Sequence, residues 1–241
     1  GTMGEAVDAR YRNEIKYVCS ERQIALIEER IRAICQKDVH AGEAELYTVR
    51  SVYLDAFDNT CFYENEDGTD PREKYRIRIY NADTGYILLE SKQKKKGRTH
   101  KDSCRLTLGQ CQAILDGSLS WMLAEAGNLG PDQRKLMNRF FLQYSTRPLR
   151  AKVIVEYERV PYVYQTGNVR ITFDRNISGS RQIQDFLKPR LALRPVMPKG
   201  EHILEVKYDE LMPDYLYNFM QLGELQQTAY SKYYTCRRFC G

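Results

Sequence analysis

The hydrophobic and polar positions of this chain alternate with a period of two along most of its length, and two helical stretches interrupt that pattern. Residues 10–19 read as a strand with Arg12, Glu14 and Lys16 on one face. Ser20 then stands as the cap of a helix running from Glu21 to about Gln36, with Ile24, Ile27, Ile31 and Ile34 at helical spacing. A strand is predicted over Leu46–Asp55, and Asn65-Glu66-Asp67-Gly68 with Asp70-Pro71 reads as a polar turn. Two more strands follow, Glu73–Tyr80 and Tyr86–Lys94, joined by a turn and leading through Lys95-Lys96-Gly97 into a further basic segment. Helical spacing then occupies 107–117, 119–127 and 132–145, punctuated by Gly117, Gly127, Gly130-Pro131 and Pro148. Strands resume at Ala151–Tyr157, continuing into Glu158-Arg159, and at Asn168–Asp174, where Arg170, Thr172 and Asp174 share a face. After a loop of Arg, Leu and Pro, a last strand spans His202–Asp209 and a helix opens at Met212-Pro213-Asp214.

The charge distribution changes the meaning of that alternation. From Arg72 to Arg105 there are eleven Lys and Arg against four Asp and Glu, whereas the whole chain has 37 against 32. The positive surplus is therefore concentrated in one hairpin region, and the remainder is slightly acidic. Lys74, Arg76 and Arg78 share one strand face, and Glu90, Lys92 and Lys94 share the facing one. A single charged strand face usually just meets water. About eight strands carrying the same pattern, accompanied by amphipathic helices that need an apolar surface to pack on, favour a different arrangement. The sheet is expected to close into a barrel, with its apolar face outside under the helices and its charged face lining a water-filled lumen of Arg12, Lys16, Arg76, Arg78, Lys92, Lys101 and Lys207.

Crowded like charges call for an anion. A phosphate chain fits, because Arg offers paired donors and Lys a point charge to phosphate oxygens. Glu14, Glu90 and Glu205, set among these cations, are placed to hold Mg²⁺ or Mn²⁺ together with substrate phosphates. Phosphoryl transfer depends on positioning and charge neutralisation, so a chain with only three histidines can perform it.

Composition narrows the remaining classes. A hydrophobic fraction of 42% over 241 residues suits one globular domain, expected over 10–238 and preceded by a cloning remnant and tail at 1–9. Seven cysteines without a CxxC pair suggest neither a disulfide framework nor a zinc site, and with no apolar run long enough for a bilayer they point to a cytoplasmic protein. RNA binding would call for exposed aromatics among the basic residues, and the 18 tyrosines sit mostly at alternating strand positions instead.

The order of these segments resembles one family. Arg12-x-Glu14-x-Lys16-Tyr17, Lys74-Tyr75-Arg76-Ile77-Arg78, Leu89-Glu90-x-Lys92, Val155-Glu156-Tyr157-x-Arg159, Val169-Arg170-Ile171-Thr172-Phe173-Asp174, Ile203-Leu204-Glu205-Val206-Lys207 and Ser231-Lys232-Tyr233 together resemble the VTC domain. This is the polyphosphate polymerase branch of the triphosphate tunnel metalloenzyme (CYTH-like) superfamily. The resemblance implies an α+β fold built on an eight-stranded antiparallel tunnel barrel, in which ATP donates its γ-phosphate to a growing polyphosphate chain with Mn²⁺ or Mg²⁺. It implies catalytic phosphate contacts from Lys16, Arg76, Arg78, Lys92, Arg159 and Lys232 and substrate contacts from Arg12, Lys101, Arg170, Lys207 and Tyr157. The metal carboxylate would be Glu205, with Glu14 and Glu90 beside it. Hydrolases of the superfamily open with Glu-x-Glu-x-Lys, so Arg12 in the first position favours the polymerase branch. A triphosphate hydrolase of the same fold and a non-catalytic polyanion-binding module are the rival readings. Fungal VTC proteins also carry a phosphate-sensing SPX domain and membrane helices, so a separate membrane partner is an expectation here.

Overall fold

The computed structural model describes residues 11–37, 46–68, 72–118 and 130–240. The first strand, β1 (Asn13–Ser20), runs into helix α1 (Glu21–Ile31) through a capping box: the Ser20 side chain accepts from the Gln23 N–H, and the Gln23 side chain accepts from the Ser20 N–H. The described chain continues with β2 (Gln36–Lys37), β3 (Tyr47–Ala56), helix α2 (Thr60–Asp67), β4 (Arg72–Tyr80), β5 (Ile87–Lys95), β6 (Arg98–Leu106) and helix α3 (Leu108–Asp116). Helix α4 (Pro131–Thr146), β7 (Leu149–Tyr164), β8 (Val169–Ser180), β9 (Arg194–Pro195), β10 (Glu201–Tyr208), helix α5 (Asp214–Met220), β11 (Gln226–Thr228) and helix α6 (Lys232–Phe239) complete it. The expected helix over 119–127, with Trp121, lies outside the described residues. Among the described residues no helix is long and apolar enough to cross a membrane.

All eleven strands belong to one antiparallel sheet, ordered β11-β1-β10-β8-β7-β3-β4-β5-β6, with β2 beside β7 and β9 beside β8. The fold is thus α+β with a large antiparallel sheet, but the closed eight-stranded barrel expected from the sequence is corrected. The sheet curls until its ends meet, and they meet at one point only, where Arg12 and Thr99 exchange backbone hydrogen bonds of 2.7 and 2.8 Å. In that register Asn13 stands opposite Arg98, the first residue of β6, so β1 runs on past the start of β6, and its outer edge at Lys16–Val18 pairs with β11 instead. The β5–β6 hairpin that brings this edge round turns on Lys96 (φ 52°) and Gly97 (φ 72°), the left-handed pair of a tight hairpin loop.

The apolar face is the convex one, as the alternation requires. α1 and α5 lay Ile24, Ile27, Ile31, Leu216 and Met220 on Tyr17, Ile171, Phe173, Leu204 and Val206. α3 and α4 bury Cys111, Ile114, Leu136 and Phe140 against Tyr75, Ile77, Ile79 and Leu89 of β4 and β5. Each fully buried aliphatic side chain contributes about 1.5–3 kcal/mol, so these two layers supply most of the cohesion.

Two elements fall where only a turn and an unassigned tail were expected. α2 begins without a cap from its own Asn59, and the buried Asp55 at the end of β3 serves instead, accepting from the N–H groups of Cys61 and Phe62 at 3.0 Å each. Asp55 also accepts from the Tyr233 hydroxyl of α6. That contact helps seat α6 on the concave face of the sheet, where Tyr233 and Cys236 pack with Tyr53, Val153, Val155, Ile177 and Ile203. One end of the concave side is therefore packed, and the lumen is not water-filled throughout. Asp55→Ala would leave two helix N–H groups and a buried hydroxyl without their acceptor, and is expected to cost about 2–4 kcal/mol in urea unfolding. A loss below about 1 kcal/mol would show that α2 and α6 do not depend on this carboxylate.

Candidate active site

Strand register decides which side chains converge. On the concave face β1 and β10 set Lys16 opposite Glu205 and Glu14 opposite Lys207, β4 and β5 set Arg76 opposite Glu90, and β7 and β8 set Arg159 opposite Asp174. Every one of these is a cross-strand pair of opposite charge. Around them stand Lys74, Arg78, Lys92, Lys101, Arg170 and Lys232. Ten cations thus share the lumen with four carboxylates.

Each carboxylate is divided among several cations. Glu90, fully buried, accepts from Arg76 Nε at 3.0 Å and from the Ser103 hydroxyl at 3.1 Å, with Arg78 Nε at 3.6 Å and Lys101 Nζ at 3.4 Å. Asp174 takes Arg159 in a two-pronged contact of 2.8 and 2.9 Å and Lys232 at 2.9 Å. Glu14 lies 3.3 Å from Lys16, 3.2 Å from Lys92 and 3.9 Å from Lys207, which also pairs with Glu205 at 3.1 Å. Two tyrosines complete the wall. Tyr157 accepts from Arg78 at 3.0 Å and from Arg159 at 3.4 Å, with the Lys232 ammonium 4.6 Å from its ring centre, and Tyr53 accepts from Arg76 at 3.3 Å.

The titration behaviour follows from this crowding. Burial and the neighbouring Glu205 both push Glu14 up, but Lys92, Lys16 and Lys207 together outweigh them and hold it well below the usual carboxylate range. Glu205 and Glu90 are likewise held down against burial by their cations, and Asp174 is lowered to about 2 by Arg159 and Lys232 despite its burial. The surplus lysines move the other way. Burial drops Lys74 to about 8 and Lys92 well below the ordinary range, and it drops Lys101 to about 7 although that side chain still meets water at one opening. Tyr53 is brought down to about 8, because Arg76, Arg78, Lys74 and Lys232 overcome the effect of burial.

The central part of the lumen holds only about 40 Å³ of free space, room for about one water, because these side chains fill it. It lies between two wider openings. One, of about 490 Å³, is lined by Lys16, Lys74, Lys92, Lys94 and Arg72, and the other, of about 430 Å³, by Tyr47, Tyr80, Tyr86, Lys101 and Arg170. A phosphate chain entering between them needs side chains to move aside. Guanidiniums and ammoniums in surplus over the carboxylates make this arrangement chemically suited to gripping and neutralising a polyanion.

Of the residues singled out in the sequence, Lys16, Arg76, Arg78, Lys92, Lys101, Tyr157, Arg159, Arg170, Glu205, Lys207 and Lys232 all line this lumen, and Glu14 and Glu90 pair with them. Arg12 does not join them. Its guanidinium turns out to Asp209, 3.1 Å away, and to the Asn168 carbonyl, because Arg12 sits at the seam where β1 meets β6. Glu90 stands apart from Glu14 and Glu205 within its own ring of cations, and among the described residues no three or more His, Cys, Asp or Glu side chains gather into a metal cluster. Asp174, Lys74 and Tyr53 belong to the site without having been assigned a role. The alternation that puts Asp174 on one face with Arg170, and Lys74 with Arg76, was the available signal.

The family profile described as the VTC domain matches residues 11–240. A comparison with functionally curated proteins finds no match. Among solved structures, the chain is similar to a Hippeastrum protein reported under an adenylyl cyclase name and with a dominant triphosphatase activity (13% identity, 94% of this chain and 95% of that one, TM-score 0.54). It is also similar to a Vibrio parahaemolyticus protein reported under an adenylate cyclase name (11% identity, 95% and 98% of the two chains, TM-score 0.50). At these identities the likeness speaks for the shared fold alone.

The depressed lysines give the site a pH signature. An anion favours the charged form of Lys74 and Lys101, so binding takes up protons, and affinity for inorganic tripolyphosphate is expected to fall as pH rises through about 7 to 9. Stability without ligand moves oppositely. Folded-state lysines below their unfolded value mean that the unfolded chain binds more protons, so unfolding free energy from these groups rises with pH over the same range. Calorimetric titration and urea unfolding at several pH values test both signs; affinity that stays flat above pH 7 would remove these lysines from the binding face. Arg76→Ala and Arg78→Ala should each weaken tripolyphosphate binding by about 1.5–3 kcal/mol, and each leaves Glu90 with two other cations.

Proposed function

The chain belongs to the VTC domain family, and from that premise we propose that it transfers the γ-phosphate of ATP to the end of a growing polyphosphate chain inside the lumen. The observation that carries this reading is the convergence, among the described residues, of ten cations and four carboxylates in one confined channel open at two places. A substrate that is itself a linear polyanion suits such a channel. The terminal oxygen of polyphosphate is already ionised and needs no base to attack, which fits a lumen with no histidine among the described residues that line it.

Arg76, Arg78 and Arg159 are fixed by Glu90, Tyr157 and Asp174 before any ligand arrives, so their forks are oriented in advance and are assigned to the transferring phosphoryl group. Lys16, Lys92 and Lys232 are assigned to charge neutralisation along the chain, and Lys101, Arg170, Lys207 and Tyr157 to holding substrate on either side. The residues present also fit a divalent metal of the Mg²⁺ or Mn²⁺ type. Glu205 is close enough to Glu14 to raise its proton affinity, both are nonetheless held down by their cations, and two carboxylates with substrate phosphate oxygens make the oxygen set such ions take. When bound, the metal would supply charge neutralisation between phosphate groups. Glu90, enclosed by Arg76, Arg78, Lys101 and Ser103, is assigned to orienting those cations instead of to metal. Since Arg12 points away from the lumen, its bearing on polymerase against hydrolase is the carboxylate it replaces, not the cation it adds. ATP and polyphosphate are the partners this reading names, with a separate membrane protein as the further one.

Incubation with ATP and Mn²⁺ decides among the readings: long polyphosphate supports the polymerase, free phosphate alone indicates a hydrolase, and neither product leaves a polyanion-binding module. Glu205→Gln is the companion test. It keeps side-chain shape and removes the charge, so polyanion binding should persist or tighten while metal-dependent turnover of ATP collapses by about 10²-fold or more. Turnover that survives this change at ordinary Mn²⁺ concentration would remove Glu205 from the metal set.

A further inference from the structure

The far end of α6 carries a feature that the lumen does not use. Cys236 and Cys240 lie one helical turn apart, and the Cys240 N–H closes that turn on the Cys236 carbonyl at 2.9 Å. Both sulfurs converge over Gly179 of β8. A Cβ placed on Gly179 would fall 2.6 Å from the Cys240 sulfur and 2.9 Å from that of Cys236, so only a glycine leaves room for the pair. The two sulfurs are near enough for each thiol to shift the titration of the other. Their surroundings differ: Cys236 is fully buried beside the Ser178 carbonyl, whereas Cys240 is half-buried. Arg181, which donates to the Arg237 carbonyl at 3.3 Å, and Arg194 lie near Cys240.

We propose that Cys240 and Cys236 form a thiol oxidation site for peroxides, with Cys240 as the reacting sulfur and Cys236 as the one that closes a disulfide. The reaction proceeds in two balanced steps. The Cys240 thiolate attacks one oxygen of hydrogen peroxide, the S–O bond forms as the O–O bond breaks, and the departing hydroxide takes up a proton; sulfur is oxidised by two electrons to the sulfenic acid. The Cys236 sulfur then attacks Cys240, forming the S–S bond and breaking S–O, and the oxygen leaves as water with the Cys236 proton. Supporting Cys240 as the reacting sulfur, it is the half-buried one of the pair, and its neighbour Cys236, followed by Arg194 and Arg181, brings it to about 7 against its partial burial. At neutral pH that makes Cys240 richer in thiolate than an ordinary exposed cysteine.

Closure has a structural consequence. Residues one turn apart on a helix keep their Cβ atoms about 5–6 Å apart, and a disulfide requires about 3.5–4.5 Å. The last turn of α6 has to tighten, and Arg237 lies within it. Arg237 donates to the Tyr233 hydroxyl at 3.0 Å and to the Asn59 side chain at 2.9 Å, so oxidation pulls on the contacts that seat α6 against α2.

The test treats the reduced full chain with a small excess of hydrogen peroxide and reads intact mass, peptide masses and thermal midpoint. Expected are the loss of two hydrogens, a peptide linking 236 to 240, and a thermal midpoint lower by about 2–4 °C that dithiothreitol restores. Cys240→Ser, at a half-buried helix end, should abolish the mass loss. Cys236→Ala should accumulate a sulfenic acid that dimedone traps at Cys240. Mass loss that persists in Cys240→Ser, or oxygen incorporation at other cysteines with 236 and 240 intact, overturns the site; a disulfide without any shift in midpoint overturns its coupling to α6. None of these readouts depends on whether the protein makes polyphosphate.

Discussion

The rest of the structure depends on holding more positive than negative charge in a confined, poorly hydrated channel. Burying an ammonium or guanidinium costs several kcal/mol unless a carboxylate or hydrogen-bond acceptor compensates. With four carboxylates for ten cations, compensation is shared: Glu14, Glu90 and Asp174 each serve two or more partners, and Tyr53 and Tyr157 accept where no carboxylate is at hand. What is left over shows in Lys74, Lys92 and Lys101, whose protons are loosened. The convex face carries the cohesion that lets the concave face stay under this stress, through the two apolar layers of α1 with α5 and of α3 with α4.

Arginine and lysine divide the work. Arg76, Arg78 and Arg159 remain charged at any pH the protein meets, and their planar forks are pinned by Glu90, Tyr157 and Asp174, so they define a shape. The lysines adjust. Their proton affinity rises when an anion enters, which lets one channel tolerate both the empty and the filled state. An all-arginine lumen could not shed charge when empty.

Much of this was legible because alternation is a local property. Lys74, Arg76 and Arg78, or Glu205 and Lys207, must share a face in any strand, and the apolar residues between them forced that face inward once helices claimed the other side. What could not be read was set by long-range geometry. Whether the sheet closes depends on where β6 starts relative to β1: Arg98 falls opposite Asn13, so β1 runs on past β6 and pairs with the three-residue β11 instead. Arg12 obeys the alternation of β1, yet it sits at the seam, where Asp209 is the nearer partner. α2 lacks a cap of its own and is held by Asp55, five residues upstream of its first residue, so nothing in 60–67 marks its start. α6 has a polar mean character and is fixed by tertiary packing of Tyr233 and Cys236, which a short window does not reveal. β7 runs on to Tyr164 through Pro161, a residue that usually ends a strand and here does not.

That last helix is where the pieces meet. Within eight residues α6 offers Lys232 to Asp174 and the ring of Tyr157, Tyr233 to Asp55, and Cys236 to the space above Gly179. Lys232 is held charged by Asp174, Tyr157 and Glu205 despite its burial, so it is among the firmest charges in the lumen. Its position is nonetheless set from outside the sheet ladder, by one helix whose far end rests on Arg237 and two thiols. A displacement of α6 small enough to leave every strand pair intact would still move Lys232 away from Asp174. Asp174 would then face Arg159 alone, and one wall of the channel would lose its alignment. The sheet supplies most of the cations, but the register between sheet and α6 decides whether they act on one ligand together.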